Sequence, residues 1–249
     1  MAHPTIVTFA SEAYIPVVQN WIKHVDALGV RAPVKIVALD ATTRDAFSAA
    51  RVAYRPCDVS NLADLWTFRI RVLHDLLQEG PGLVHSDADA VWLRDPLPTI
   101  ADCASDIVFS QGTIWPPDVH TKRGLVLCCG LYHLSNTTRG HSFMTQLEAR
   151  VAHDGDDQVS VNRLLDESGL EWVVEDPYTI PFKGTDFIAS RRTIRSSGGG
   201  VWGSVAVLPH HLFPRQVESL DPNVIVAHPI SHKTCVDKIK TLKRLGLWM

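Results

Sequence analysis

Apolar positions along this chain alternate between short continuous runs and longer stretches with helical spacing. Thr5–Ala10 and residues 34–40 are short, β-rich apolar runs, whereas the apolar positions of residues 14–28 fall on one helical face. Residues 45–52 have the pattern of a short second helix. This strand–helix order predicts an α/β fold with a parallel sheet and right-handed crossovers.

The rest of the chain continues the same alternation. Residues 111–124 include Trp115-Pro116-Pro117 and are too irregular to predict an element, so we expect a substrate-facing loop there. Further helices are expected at 63–77, 137–151 and 159–165, and further strands at 83–84, 106–110, 125–134, 171–174, 205–209 and 224–229.

The composition limits the possible function classes. The chain has 249 residues, 45% of them hydrophobic, and a formal net charge of −3. This length suits one large domain, and the charge gives no support for nucleic-acid binding. From residues 1–6 we expect no secretory leader, and no apolar run reaches the roughly 18 residues that a membrane span needs. Five cysteines without a Cys-x-x-Cys pair predict reduced thiols and a cytoplasmic location.

The most informative segment is residues 82–96, in which an apolar run leads to two acids. Asp87 and Asp89 follow the predicted strand at 83–84, and acids two residues apart on extended chain point the same way. Both are ionised at neutral pH and repel each other unless a cation lies between them. Mg²⁺ and Mn²⁺ prefer such oxygens and share them with substrate phosphates. The segment therefore predicts a metal–diphosphate site; the structural alternative is a strand-end turn with two solvated acids.

Three basic residues are candidates to complete this site. Arg69 lies on the predicted helix before the acidic segment and is placed to reach a diphosphate. His228 ends a predicted strand and is a candidate third metal ligand, since imidazole joins carboxylates in Mn²⁺ sites. Lys233 follows it and is a candidate phosphate contact. The alternatives are a solvated arginine on its helix and a purely structural strand-end histidine.

Other candidates lie at the ends of predicted strands and at a helix start. Thr8 and Ala10, near the end of the first strand, are candidates to bind a nucleoside, although no Gly-x-Gly-x-x-Gly follows them. Asp40 either contacts the base or ribose or caps the end of its strand. Asp157 and Gln158 either cap a helix or belong to the acid cluster of a sugar-binding cleft.

Together these segments resemble the nucleotide-diphospho-sugar transferase family of metal-dependent glycosyltransferases with the type A fold. The resemblance implies one domain with a mixed, mostly parallel central sheet flanked by helices. It also implies a nucleotide-binding half at about 1–100, and an acceptor-binding half with a C-terminal helix at about 101–249. The matching segments are Trp66-x-x-Arg69, Ser86 to Pro96, Gly130-Leu131, Asp157-Gln158-x-x-x-Asn162, His228 with Lys233, and Gly246-Leu247-Trp248.

The resemblance also implies roles for the candidate residues. Asp87, Asp89 and His228 would hold a divalent metal on the donor diphosphate, with Arg69 or Lys233 also contacting it. The implied reaction moves a sugar from a nucleotide-diphosphate donor, a uridine-diphosphate sugar, to a saccharide or other hydroxyl acceptor with retention. Asp157 or Gln158 would lie near the anomeric carbon. One departure is that Cys128 stands two residues before Gly130, where such enzymes usually have asparagine.

Two other functions fit parts of the sequence. Asp87-Ala88-Asp89 fits the nucleophile motif of a haloacid-dehalogenase-type phosphatase, with Asp156 and Asp157 as later acids and Lys122 as its lysine. Against this, more than 80 residues precede the motif. The second alternative is a nucleotide-sugar-binding module without turnover, which the cysteine at position 128 suggests.

The C-terminal tail, residues 238–249, interleaves basic and apolar residues. Lys238, Lys240, Lys243 and Arg244 alternate with Leu242, Leu245 and Trp248. This pattern is compatible with peripheral contact with an anionic membrane surface. The alternative is a terminal helix docked on the protein's own sheet with an exposed basic face.

Overall fold

The structure is a computed structural model that describes residues 3–57, 62–197, 201–231 and 234–249. The helices are α1 (Ile15–Ala27), α2 (Ala41–Ala46), α3 (Leu62–Leu77), α4 (Leu97–Asp102), α5 (Pro117–Arg123), α6 (Thr138–Asp154), α7 (Asp157–Glu167) and α8 (Cys235–Arg244). The strands are β1 (Thr5–Ala10), β2 (Val34–Ala38), β3 (Val52–Tyr54), β4 (Gly82–Ser86), β5 (Val91–Trp92), β6 (Ile107–Gln111), β7 (Leu127–Ser135), β8 (Glu171–Val173), β9 (Pro177–Phe182), β10 (Thr185–Ser190), β11 (Ile194–Ser197), β12 (Val205–Val207) and β13 (Val226–Ala227).

Within the described residues, the central sheet has nine strands in the order β3-β2-β1-β4-β7-β6-β12-β11-β8. β1 pairs in parallel with β2 and β4, as the strand–helix order predicts. β7 then runs antiparallel between β4 and β6, and β12 returns parallel to β6. The sheet is therefore mixed, and the carboxyl ends of β1, β2 and β4 meet at one edge, where ligands bind in such folds.

Helices cover both faces of this sheet because successive strand residues point to opposite sides. Ile6 and Val84 pack in one core with Trp21 of α1 and Leu242 of α8. Their neighbour Val7 packs in the other core, which α3, α6 and α7 cover. The hydrophobic runs of β1 and β4 are thus buried on both sides, which is typical of parallel strands.

The prediction of a helix at 45–52 is wrong. The helix is α2, which begins earlier because Asp40 caps it: its Oδ1 accepts a hydrogen bond from the Thr43 N–H at 2.7 Å. β2 accordingly ends at Ala38, before the predicted strand end, and residues 52–54 form β3 instead of the end of a helix.

The loop predicted at 111–124 is also partly wrong, because it contains α5. Prolines open this helix, as their fixed φ suits a first turn, and Gly124 ends it with φ +67°. The predicted strand at 224–229 is reduced to the two residues of β13. The sequence patterns also missed the β9–β10 hairpin and strand β11.

The C-terminal tail packs against the rest of the protein, as expected for a docked terminal helix. Leu242 and Leu247 are fully buried, and the Asn20 side chain donates a hydrogen bond to the Leu247 carbonyl at 3.0 Å. Among the described residues, no helix combines the length and the hydropathy needed to cross a membrane.

Candidate active site

Two short strands bring the candidate metal ligands together. β5 and β13 pair antiparallel, with Val91 opposite Ala227. Asp87 and Asp89 lie in the turn before β5, and His228 follows β13, so this pairing places all three side chains at one point. One ligand atom from each lies within 4.8 Å of the others. His228 Nε2 is 3.5 Å from Asp89 Oδ1 and 3.8 Å from Asp87 Oδ2.

Gly130 leaves the space in which these three side chains meet. A Cβ atom on Gly130 would lie 2.0 Å from His228 Cε1 and 2.9 Å from Asp87 Oδ2. The Gly130 carbonyl also accepts a hydrogen bond from the Asp87 N–H at 2.8 Å, which fixes the turn after β4. The absence of a side chain at Gly130 is therefore a requirement of the site.

Arg69 joins two of the predicted acids. It is 6% exposed and stacks on Trp66, with its guanidinium carbon 4.5 Å from the ring centroid. Its Nη1 lies 3.2 Å from Asp87 Oδ1, and its Nη2 pairs with Asp157. It is therefore not the solvated arginine of the structural alternative. Both terminal nitrogens are engaged, so Arg69 neutralises and positions the two acids.

Asp157 and Gln158 lie in the first turn of α7, but neither caps it. The cap is Asp156, whose side chain accepts a hydrogen bond from the Val159 N–H. Asp157 is buried against Arg69, whereas Gln158 is partly exposed. The Gln158 amide donates to the Trp115 carbonyl at 2.8 Å and accepts from the Cys129 N–H at 3.4 Å.

Asn162 secures the same helix to strand β7. Its amide accepts from the Leu127 N–H at 2.7 Å and donates to the Leu127 carbonyl at 3.0 Å. These are the bonds that a neighbouring strand residue would make, so the side chain extends the sheet's hydrogen bonding to α7. The Asp-Gln-x-x-x-Asn spacing thus places Asn162, which fixes α7 to β7, about one helical turn after Asp157 and Gln158.

His85 is a site residue that the sequence reasoning missed. It is fully buried in β4, and its Nε2 lies 3.2 Å from Asp87 Oδ1. Its ring lies among those of Phe9 and Tyr132, with centroids at 5.8 and 5.1 Å. The available signal was its position directly after the apolar pair Leu83-Val84 and two residues before Asp87, a spacing that places both side chains on one side.

The surrounding charges keep both acids ionised. Burial raises the pKa of Asp87, but the His85 hydrogen bond and the Arg69 charge outweigh it and hold this pKa well below its usual value. Burial likewise opposes ionisation of Asp89, yet His228 and Lys238 lower its pKa to about 2. Two ionised carboxylates beside an imidazole are a donor set that fits Mn²⁺ or Mg²⁺.

Cys128 lies behind the histidine. Its Sγ is 3.9 Å from His228 Nδ1 and accepts a hydrogen bond from the Gly130 N–H at 3.3 Å. Burial raises the pKa of this thiol, but Arg215 and His228 together lower it to about 7. The sequence reasoning also missed Arg215, whose Nη1 is buried with no hydrogen-bond partner among the described residues.

The remaining predicted residues lie around this centre. Thr8 and Ala10 are buried near the end of β1, beside β4. Asp40 caps the start of α2 instead of the end of its strand, and its side chain also accepts a hydrogen bond from the Glu12 N–H at 2.8 Å. Lys233 lies outside the described residues. Lys122, which the phosphatase alternative requires, is exposed and pairs with Asp166 at 2.7 Å.

Comparison with known proteins identifies the family and the fold of this chain. The model of the nucleotide-diphospho-sugar transferase family matches residues 32–226. The crystal structure of the galactosyltransferase LgtC, in complex with donor and acceptor sugar analogues, aligns with 98% of this chain and 96% of its own. The TM-score is 0.55 at 12% identity, so this likeness shows the fold. No curated protein sequence matches the chain. Because the family match covers well over half of its length, the chain belongs to the nucleotide-diphospho-sugar transferase family.

Proposed function

We propose that this transferase moves a sugar from a uridine-diphosphate donor to a hydroxyl acceptor, with a divalent cation and with retention. The observation that carries the proposal is the convergence of Asp87, Asp89 and His228 at the sheet edge. His228 is far from the two acids in sequence, and the donor atoms of all three suit a hard divalent cation that also binds diphosphate. Mn²⁺ or Mg²⁺ held there supplies positive charge to the leaving diphosphate.

The nucleoside would lie beyond the adjacent ends of β1 and β4. Thr8 and Ala10 are buried, so they would shape this strand end rather than offer polar side-chain contacts. Asp40 is close to the same edge and retains acceptor capacity beyond its two backbone bonds. In this division, residues of about 1–100 bind the nucleotide, and those of about 101–249 form the acceptor side.

The leaving diphosphate requires cationic partners besides the metal. Arg69 holds the acids in place. Lys233 and the Nη1 of Arg215, which has no hydrogen-bond partner in the described part of the chain, are candidates to contact phosphate oxygens directly. For retention, the acceptor hydroxyl arrives on the face that the diphosphate leaves. Gln158 is the better candidate to face the anomeric carbon, because Asp157 is buried against Arg69.

Two finer proposals concern where the enzyme works. A cytoplasmic location rests on the cysteine pattern of the sequence. Peripheral contact with anionic lipid would rest on the basic side chains of α8 alone, because Leu242 and Leu247 are packed in the interior. Liposome co-sedimentation of the double variant Lys240→Glu, Lys243→Glu beside the unmodified protein tests this contact, since both lysines are exposed on α8, and undiminished binding by the variant contradicts it.

The decisive experiment on function compares ligand-induced thermal shifts. Uridine diphosphate should raise the melting temperature clearly with Mn²⁺ and only weakly with a chelator, because a ligand that binds the native state stabilises it. Asp89→Asn should lose the Mn²⁺-dependent part, whereas Asp186→Asn, an exposed acid on β10, should keep it. Equal shifts with and without chelator would contradict the metal-bridged site. Nucleotide binding without sugar transfer to any acceptor would favour the binding-module alternative that Cys128 suggests.

A further inference from the structure

Lys238 reaches the candidate metal site from the C-terminal helix. It lies in the first turns of α8, and its Nζ pairs with Asp89 Oδ2. The lysine side chain is 19% exposed and the Asp89 side chain 8% exposed, so this contact is shielded from water. Asp89 therefore offers one oxygen to Lys238 and the other to His228.

The helix that carries Lys238 is fixed in place. Thr234 caps its start, and Leu242 packs in the core beside α1. The tail beyond it is tied to α1 through Asn20, which bonds both the Leu247 carbonyl and the Met249 N–H. The position of the ammonium group beside Asp89 is therefore fixed by the packing of α8 against the protein.

A lysine in this position affects any cation that approaches Asp89. The ammonium group satisfies one carboxylate oxygen and adds a positive charge within a few ångströms of the ligand atoms. Like charges at such distances repel strongly where water is excluded. Removing the lysine would leave two ionised carboxylates and a histidine with less positive charge around them.

We propose that Lys238 is a built-in competitor of the divalent cation, which makes the cation bind weakly alone and tightly together with a diphosphate. When a metal–diphosphate complex occupies the site, the displaced ammonium group finds a new anionic partner in the diphosphate. Metal and nucleotide therefore assist each other's binding by the same factor, as linkage requires. This inference rests on the proposed function, because it takes the cation and the diphosphate from it.

The test measures Mn²⁺ binding directly, by the electron paramagnetic resonance signal of free Mn²⁺, with and without uridine diphosphate. Lys238→Met should bind Mn²⁺ alone about tenfold more tightly than the unmodified protein, a typical coupling between neighbouring sites. It should also show a smaller gain in Mn²⁺ affinity on adding the nucleotide. Lys240→Met is the matched control, since Lys240 is exposed on the same helix. Lys238→Arg keeps the charge and should retain weak binding.

The outcomes separate this inference from the proposed function. Unchanged or weaker Mn²⁺ binding by a folded Lys238→Met protein overturns the inference, while nucleotide-dependent Mn²⁺ binding by the unmodified protein leaves the proposed function standing. If Lys238→Met binds Mn²⁺ while the unmodified protein does not bind it even with nucleotide, the cooperation between cation and diphosphate is overturned, and the metal dependence of the proposed function falls with it. If no variant binds Mn²⁺, both fall. If Lys238→Met does not fold, Lys238→Gln replaces it in the test. A tenfold gain in the affinity of Lys238→Gln for Mn²⁺ alone supports the inference, and an unchanged affinity overturns it.

Discussion

Gly130 and the imidazole of His228 are so close that no side chain fits between them. A Cβ atom on Gly130 would stand 2.0 Å from His228 Cε1 and 2.6 Å from Nδ1. Both neighbours are constrained, because Gly130 lies inside the central strand β7 and His228 is buried after β13. The geometry of the candidate metal ligands therefore depends on a residue that has no side chain to coordinate a cation.

We expect Gly130→Ala to abolish Mn²⁺-dependent nucleotide binding. The new methyl group must push His228 away from Asp87 and Asp89, and overpacking of this kind typically costs about 1–3 kcal/mol of stability. Isothermal titration with uridine diphosphate and Mn²⁺ measures the loss. Gly80→Ala is the control, because its nearest neighbour would be 3.7 Å away. Full nucleotide affinity in a folded Gly130→Ala protein would show that His228 is not a ligand.

Asp89→Asn and His228→Ala should each abolish sugar transfer in a protein that still folds, although Asp89→Asn should also lower the melting temperature because Lys238 loses its partner. Both residues act through one cation in the proposed mechanism, so the double variant should be no worse than either single one. Turnover of a uridine-diphosphate sugar and Mn²⁺ affinity are the two measurements. If His228→Ala lowers stability but keeps metal-dependent turnover, the histidine is structural and the metal site is reduced to the two acids.

Arg69→Met should destabilise the protein by about 3–5 kcal/mol, since it leaves the buried Asp157 without its partner. Adding Asp157→Leu should recover much of this stability, because the unpaired charge is then removed as well. Urea denaturation measures the free energy of unfolding. Replacing Lys35 with Met, which breaks the exposed pair with Glu79, should cost at most about 1 kcal/mol. Both Arg69→Met and the double variant Arg69→Met, Asp157→Leu should fail to bind the nucleotide, because Asp87 has lost its neutralising partner in each.

The free energy of unfolding should decrease as the pH falls from about 6.5 to about 4, because His210 stays neutral in the folded protein over this interval. His210 is 3% exposed, and Tyr178 Oη lies 3.0 Å from its Nδ1. Burial, with a smaller effect of His211, lowers the pKa of His210 from 6.5 to about 4. In this interval the unfolded chain takes up a proton that the folded protein does not, so the free energy of unfolding decreases, by about 3 kcal/mol in total.

The measurement for His210 is the pH dependence of the free energy of unfolding. His210→Gln should flatten the curve between pH 6.5 and 4, whatever its effect on absolute stability. An unchanged slope in His210→Gln would show that this histidine has the same pKa in the folded and the unfolded protein.

Local patterns were enough to predict the elements around the site. The apolar runs of β1 and β4 and the helical spacing of α3 are regular because each packs against the core along its whole length. The spacing of Asp87 and Asp89 after a buried strand predicted two acids on one side of a sheet edge. Where a single side chain decides the boundary, as Asp40 does for α2, the pattern alone placed the helix several residues too late.

The sequence by itself determined the α/β class, the family resemblance and the acids of the candidate site. Only the tertiary structure decided which of the candidate residues surround them, and it added Lys238. His228 meets Asp89 because β13 pairs with β5, and Lys238 meets the same acid because α8 docks against α1. Contacts of this kind join residues more than a hundred positions apart, and they depend on how strands pair and helices pack. No local pattern of apolar and polar residues records that pairing.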